Sequence, residues 1–170
     1  MELDQLAERE TRVAKAMEGV SGYIEDRIPQ VAALGVEDEY RSIFNGYLDL
    51  IEDPEQGLEA LKRAVFLAWY SFAEPSWLTG LGDLPDYKVR SLMQTLDATL
   101  AGGSDTELIE MLKYYIGVIP LPFDQYPQLQ NVQSLIRGAR AEDTPRRWRP
   151  SATQGRGEMG DYWKSLRSDD

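Results

Sequence analysis

Apolar side chains recur through most of the chain at the spacing of an α-helix. In residues 37–51 they return every three or four positions, which matches a helix that turns once every 3.6 residues. No segment shows the strict apolar–polar alternation, with a hairpin turn, that is typical of β-strands. The pattern predicts an all-α fold, a compact bundle or irregular array of six or seven helices. The segments are 3–20, 23–34, 37–51, 54–74, 86–100, 104–119 and 128–137.

Two of these helices begin with capping signals. Asp53 is placed to cap a helix whose first residue is Pro54, and Gln56 completes a reciprocal capping box. Ser104 and Glu107 form a second box of the same kind. Both starts are predicted from the need to satisfy backbone N–H groups that have no partner within the helix.

The stretch AVFLAWYSFA, residues 64–73, is apolar on every side of its predicted helix. A helix of this kind is normally buried all round, so we expect it at the centre of the core. The turns before it are amphipathic, and we expect Lys62 and Arg63 on the outer face. Glu59 lies four residues before Arg63, an order that favours an ion pair along the helix.

The exit from this helix contains the least ordinary polar residues. Glu74 follows ten residues without a charge, and a buried carboxylate needs a partner. Arg63 is three turns away, so we expect a basic residue from elsewhere, such as the C-terminal segment, to approach Glu74. Trp77 follows in a loop, where it can line a pocket, anchor an interface or cap the core. A pocket, if present, is expected between Glu74 and Gly82.

Composition changes after Gly138. The pattern predicts an all-α domain over residues 1–138 and a polar, arginine-rich C-terminal extension over residues 139–170. Such a composition does not build a core of its own. The extension contains Trp148 and Trp163, so we expect it to dock on the rest of the chain or on a partner. Its polar composition indicates that it is mobile in part.

Charge and missing residue types narrow the chemistry. The formal net charge is −11, and residues 1–62 alone contain 15 acidic and 6 basic side chains. Such a surface repels nucleic-acid backbones and attracts basic partners. The 170 residues include no cysteine and no histidine, which excludes disulfides, zinc sites of the Cys/His type and Ser-His-Asp catalysis within this chain.

Two alternative functions remain open at this point. Carboxylates in several first turns could meet to hold Mg²⁺ or Mn²⁺ in a metal-assisted hydrolase, although acidic residues there also complement the helix dipole. The candidates are Glu52, Asp53, Glu55, Asp83, Asp86, Glu107 and Glu110. The arginines and Trp148 of the extension could instead contact nucleic acid. Acidic residues among those arginines favour a protein partner over nucleic acid.

We therefore expect a non-enzymatic, acidic protein–protein interaction module, with an inhibitor-like or immunity-like role against a basic partner. No catalytic residue, metal site or cofactor is expected. The two longest apolar runs, 64–73 and 114–123, are both too short to cross a membrane. A cytoplasmic location is expected. The candidate partner-binding residues are Glu37, Asp38, Glu39, Glu52, Asp53, Glu55, Glu74, Trp77, Arg146, Arg147, Trp148, Arg149, Tyr162 and Trp163.

Overall fold

The computed structural model describes residues 2–103, 105–141, 150 and 152–166. Every regular element among them is a helix and none is a strand, so the predicted all-α class is confirmed. The α-helices are α1 (Leu3–Met17), α2 (Ile24–Leu34), α3 (Val36–Leu50), α4 (Gly57–Ala73), α5 (Ser76–Thr79), α6 (Asp86–Ala101), α7 (Thr106–Val118), α8 (Gln130–Ala141) and α9 (Gly157–Ser165). A single 3₁₀ turn spans Phe123–Gln125.

The described part of the chain thus has nine α-helices where six or seven were predicted. The two additional ones are α5, a single turn that follows Pro75, and α9 in the C-terminal segment. Neither gives a strong periodic signal, because α5 is too short and α9 carries few aliphatic residues. None of the described helices combines the length and apolarity that a membrane crossing requires.

The described residues group into two compact units. The first contains residues 2–84 and 152–166, and the second contains the described residues of 85–150. The domain boundary predicted after residue 138 falls inside α8. The C-terminal helix α9 belongs to the first unit, where it packs against α1 and α4.

The centre of the first unit is α4. All residues from Ala60 to Trp69 are buried, and the helix packs against α3 and α9. The core position predicted for residues 64–73 is therefore correct over its first six residues. It is wrong at Phe72, whose side chain is 42 % exposed.

The outer face predicted for the first half of α4 is also wrong. Lys62 and Arg63 are each only 5 % exposed. Arg63 is covered by segments that are distant in the sequence, since it donates to the backbone oxygens of Leu3 and Gly155. The helix begins at Gly57 rather than Pro54. Asp53 still satisfies backbone donors, since its Oδ1 accepts hydrogen bonds from the N–H groups of Glu55 and Gln56 in the preceding turn.

In the second unit, α8 packs against both α6 and α7. The Asp97 carboxylate of α6 accepts hydrogen bonds from the backbone N–H groups of Asn131 and Val132 at 2.8 and 2.9 Å, which satisfies the first turn of α8. The N-cap of α7 is Asp105, which accepts from the Leu108 N–H at 2.7 Å. The predicted cap, Ser104, lies outside the described residues.

Candidate functional site

A cleft opens in the first unit where α4 ends. Its volume is about 420 Å³. The walls come from the end of α4, the start of α5, the loop that follows α5 and the first turns of α3. The lining residues are Glu37, Arg41, Ser71, Phe72, Ala73, Glu74, Pro75, Ser76, Leu81, Gly82 and Asp83. The sequence placed a pocket between Glu74 and Gly82, and the two ends of that segment line this cleft, whereas residues 77–80 between them do not.

Backbone geometry explains why the chain opens here. Glu74 is extended, with φ −127° and ψ 141°, as expected for a residue that precedes a proline, and it ends α4. Gly80 has φ +81°, which ends the single turn of α5 at little steric cost. Gly82 permits a close approach, since a Cβ atom there would lie 2.7 Å from the Cδ atom of Glu37.

Arg41 is the basic side chain that lines the cleft, and it is already occupied within the chain. Its guanidinium lies 2.7 Å from Asp38 and 3.6 Å from Glu37, and its Nε donates to the backbone oxygen of Asp83 at 3.2 Å. The arginine therefore fixes α3 to the loop after α5. Its positive charge is largely balanced by these neighbours.

The side chain of Glu74, in contrast, makes no hydrogen bond or ion pair within the described residues, although its backbone N–H donates to the oxygen of Tyr70. It is half-buried at the cleft wall, beside the exposed ring of Phe72. The partner expected from the C-terminal segment is absent among the described residues, because Arg156 of that segment pairs with Glu59 instead. The cleft thus offers, at Glu74, a half-buried carboxylate without a counter-ion among the described residues, next to an accessible aromatic surface.

Trp77 does not line this cleft. It lies in α5, half-buried, with the guanidinium of Arg27 from α2 at 5.6 Å from its ring centroid. Arg27 Nε also donates to the backbone oxygen of Trp77 at 3.3 Å. The tryptophan therefore joins α5 to α2. Of the roles predicted for it, this position is closer to capping the core than to lining a pocket.

The six candidate acidic residues at 37–39 and 52–55 do not form one face. Glu37 and Asp38 share Arg41 in the first turn of α3, whereas Glu52 follows the other end of that helix. A helix of 15 residues is roughly 22 Å long, so the two groups lie far apart. Glu39 is paired with Arg9 at 2.7 Å, and this hydrogen-bonded ion pair lowers the pKa of Glu39.

The aromatic candidates of the C-terminal segment lie against their own chain. Trp163 is 1 % exposed, so its predicted role as a partner contact is wrong in this fold. The Tyr162 ring lies 5.5–5.7 Å from the rings of Phe66, Trp69 and Tyr70 on α4, which accounts for its position without a partner. The remaining candidates, Arg146, Arg147, Trp148 and Arg149, lie outside the described residues.

A polar network that holds α9 was missed by the sequence reasoning. Glu59 forms the predicted pair with Arg63 at 2.9 Å and binds Arg156 through two contacts of 2.7 and 2.8 Å. Arg63 also donates to the backbone oxygens of Leu3 and Gly155. One carboxylate thereby pairs with two buried guanidinium groups that are far apart in the sequence.

Two carboxyl groups continue this network: Glu10, which is buried, and Glu158, which is half-buried. Oε2 of Glu10 accepts from the backbone N–H of Glu158 at 2.7 Å, and the Tyr40 hydroxyl donates to Glu158 at 3.2 Å. Burial raises the pKa of Glu10 to about 8 and that of Glu158 to about 7. The Tyr47 hydroxyl lies near Glu10 and Arg63 without a hydrogen bond of good geometry.

The signal for this network in the sequence is Glu10, which interrupts the apolar stripe of α1. Gly157 is the second signal, because its φ of +58° and its contact with the Glu10 carboxylate leave no room for a Cβ atom. No pattern in one sequence pairs these two positions, which are 147 residues apart. The fold alone brings them together.

The carboxylates proposed for a metal site are dispersed or engaged. Within the described ranges, no group of three or more Asp or Glu residues is close enough to hold a metal ion. Asp53 accepts backbone hydrogen bonds, and Glu110 lies 3.5 Å from Lys113. No observation in the described structure favours a metal-assisted hydrolase.

No protein-family model matches this chain, and neither a curated protein nor a solved structure is significantly similar to it.

Proposed function

We propose that this chain is a non-enzymatic acidic interaction module that binds a basic partner protein. In this proposal the cleft at the end of α4 receives an arginine or lysine side chain of the partner. The single observation that supports it is Glu74, a half-buried carboxylate with no counter-ion in the described chain. A half-buried charge that has lost part of its water gains from an incoming cation more than a fully exposed one does.

The neighbours of Glu74 suit a long cationic side chain. The ring of Phe72 is 42 % exposed at the cleft wall, and aromatic faces attract guanidinium and ammonium groups. Arg41 does not compete for Glu74, because it contacts Glu37, Asp38 and Asp83. A volume of about 420 Å³ lies within the usual range of ligand pockets.

The charge of the whole first unit supports the same class of partner. Its described residues, 2–84 and 152–166, contain 19 acidic and 9 basic side chains. An excess of this sign accelerates encounter with basic proteins and disfavours acidic ones. An inhibitor-like or immunity-like role against a basic target is consistent with such steering, and it is the finer form of this proposal.

A titration with a short peptide tests the cleft directly. The probe is the acetylated and amidated peptide Gly-Ser-Arg-Ser-Gly, added to ¹⁵N-labelled protein and followed by amide chemical shifts. We expect a dissociation constant of about 1 mM, with shifts concentrated at Ser71, Ala73, Ser76 and Gly82. The Glu74→Gln variant should bind about tenfold more weakly, because the carboxylate is replaced by a neutral group of the same shape.

Two controls separate this site from general attraction between opposite charges. The same peptide with citrulline in place of arginine keeps the shape and loses the charge, so it should not bind. The Glu52→Gln variant removes one exposed charge at the far end of α3 and should leave the affinity unchanged. Equal binding of both peptides, or equal weakening by both variants, would contradict the proposed site.

A further inference from the structure

The helix α2 exposes the side chains that its sequence pattern predicts to be buried. Tyr23, Ile24, Val31 and their neighbours have the helical spacing of a core-facing stripe. Yet Val31 is the buried residue of this 11-residue helix. Tyr23 at the N-cap is 82 % exposed, Ile24 is 48 % exposed and Ile28 is 53 % exposed.

These exposed residues form a continuous row. Ile24, Ile28 and Ala32 follow one another at four-residue intervals on one side of α2, and all three are exposed. Tyr23 precedes the row at the N-cap. We call Tyr23, Ile24, Ile28 and Ala32 the α2 face. Single exposed apolar side chains are common, but a row along one helix is typical of an interaction surface.

Other contacts hold α2 in place, so the α2 face is not needed for its attachment. Val31 is 2 % exposed and anchors the helix in the core. Arg27 lies over the Trp77 ring and binds its backbone oxygen. The helix thereby packs against α3 and α5 and leaves the α2 face accessible.

Charge decides between the occupants of this face. Glu25 and Asp26 lie in the first turn of α2, and Arg27, the basic residue beside them, is engaged with Trp77. A second copy of the chain would bring another formal charge of −11 against these carboxylates. A segment with an apolar row flanked by lysine or arginine would instead satisfy both the row and the carboxylates.

The α2 face is also linked to the cleft. Helix α5 packs against α2, and the residues at its start, Pro75 and Ser76, line the cleft that contains Glu74. Helix α5 thus connects the element that carries the α2 face with the wall of the cleft.

We propose that the α2 face is the docking surface for a basic amphipathic helix of the partner protein. This inference rests on the proposed function, since it assigns a second contact to the same basic partner. The binding mode is a helix packed along a helix, with apolar side chains of the partner on Ile24 and Ile28. Basic side chains at the margin of that helix approach Glu25 and Asp26.

A designed peptide tests the α2 face without knowledge of the partner. The probe is a fluorescein-labelled peptide of about 18 leucine and lysine residues, with the leucines on one helical face. Its binding is followed by fluorescence anisotropy at about 0.15 M salt. The double variant Ile24→Ser with Ile28→Ser should bind at least about tenfold more weakly than the unchanged chain. Both positions are exposed, and an unchanged melting temperature confirms that the variant folds.

Three comparisons give each outcome a meaning. A scrambled peptide of the same composition has no apolar face and should bind at least about tenfold more weakly; equal binding would overturn the inference. Equal affinity of the double variant and the unchanged chain would also overturn it. If the unchanged chain sediments as a dimer and the double variant as a monomer, the occupant is a second copy and the basic helix is excluded.

The segment 142–149 of the same chain is the remaining occupant to exclude. Replacing it with a glycine–serine linker of equal length should leave the peptide affinity unchanged. A large increase would show that this segment covers the α2 face, and would overturn the inference. The double variant should still bind the short arginine peptide in the cleft. If the double variant binds the arginine peptide and also binds the leucine–lysine peptide as tightly as the unchanged chain does, only the inference about the α2 face is refuted. If the unchanged chain does not bind the arginine peptide, only the proposal about the cleft is refuted.

Discussion

The two ends of α4 carry two glutamates in opposite circumstances. Near the start, Glu59 contacts two buried arginines, one on its own helix and one at the start of α9. At the end, Glu74 lies in a cleft without any counter-ion among the described residues. The first carboxylate joins parts of the fold, and the second is available to another molecule. The comparison separates polar residues that maintain the structure from those that are candidates for function.

The same contrast holds for apolar side chains. On α9, Met159 and Trp163 come from a polar segment and are fully buried. On α2, Ile24 and Ile28 come from a regular helical pattern and are exposed. The strength of a periodic pattern in the sequence therefore does not decide which side chains are covered in the folded chain.

The largest expected effect is at Glu59. The Glu59→Gln variant leaves Arg63 and Arg156 buried without their shared carboxylate, and buried charges that lose a partner are costly. We expect the free energy of unfolding to fall by about 3 kcal/mol, the lower end for a buried pair, because a quarter of the Glu59 side chain is exposed. Urea unfolding followed by tryptophan fluorescence measures this loss. Trp69, Trp77 and Trp163 all report on the first unit.

The matched control for this variant is Glu55→Gln, the same change at an exposed position before α4. It should change the free energy of unfolding by less than about 0.5 kcal/mol. Equal losses for the two variants would mean that the contacts of Glu59 add no stability beyond general charge effects. The contrast between the two ends of α4 would then lose its basis.

An intermediate effect is expected from pH. Burial raises the pKa of Glu10 to about 8 and that of Glu158 to about 7, from an ordinary value of 4.5. The folded chain therefore holds protons that the unfolded chain releases above pH 4.5. The stability that these groups contribute is complete below pH 4.5 and is lost as pH rises through 7 to 8. Each group can lower the free energy of unfolding by about 1.4 kcal/mol per pH unit while it is protonated only in the folded chain, so we expect a fall of at least about 2 kcal/mol between about pH 5 and about pH 8.

Urea unfolding at several pH values above 5 measures this slope. The lowered pKa of Glu39 has the opposite effect, since its contribution to stability is lost as pH falls. This loss occurs below pH 4.5 and does not affect the slope measured above pH 5. Other charged groups near the two carboxyls are Arg63, which favours ionisation of Glu10, and Asp161, which opposes ionisation of Glu158. The Glu10→Gln variant keeps an acceptor for the Glu158 N–H and should flatten the slope. An equally steep slope in this variant would exclude Glu10 as its source.

The sequence predicted the parts of the fold that depend on local patterns. The helical class, the burial of residues 64–69 and the end of α4 before Pro75 follow from periodicity and from the backbone limits of proline. A pocket near Glu74 was expected because a carboxylate and a loop tryptophan leave the core together; a cleft does lie at Glu74, but Trp77 does not line it. These features need only a few neighbouring residues.

The remaining features depend on contacts between distant positions. Burial of Arg63 requires Gly155, and burial of Glu10 requires Gly157 and Glu158. Neither pairing leaves a trace in the local composition, which predicted an exposed arginine and an unspecified docking site for the extension. The exposed row on α2 is the converse case, because periodicity indicates a helix but not whether its apolar side faces the core or a partner.

The smallest expected effect on stability is at Glu74, and it completes the comparison. The Glu74→Gln variant removes a carboxylate that has no described partner, so the free energy of unfolding should change by less than about 0.5 kcal/mol. The same urea experiment that detects the loss at Glu59 should detect almost none here. Binding of the arginine peptide should show the opposite order, because Glu74→Gln should weaken it more than Glu59→Gln does. If Glu74→Gln instead lowered stability as much as Glu59→Gln, the carboxylate would be structural and the two ends of α4 would be alike.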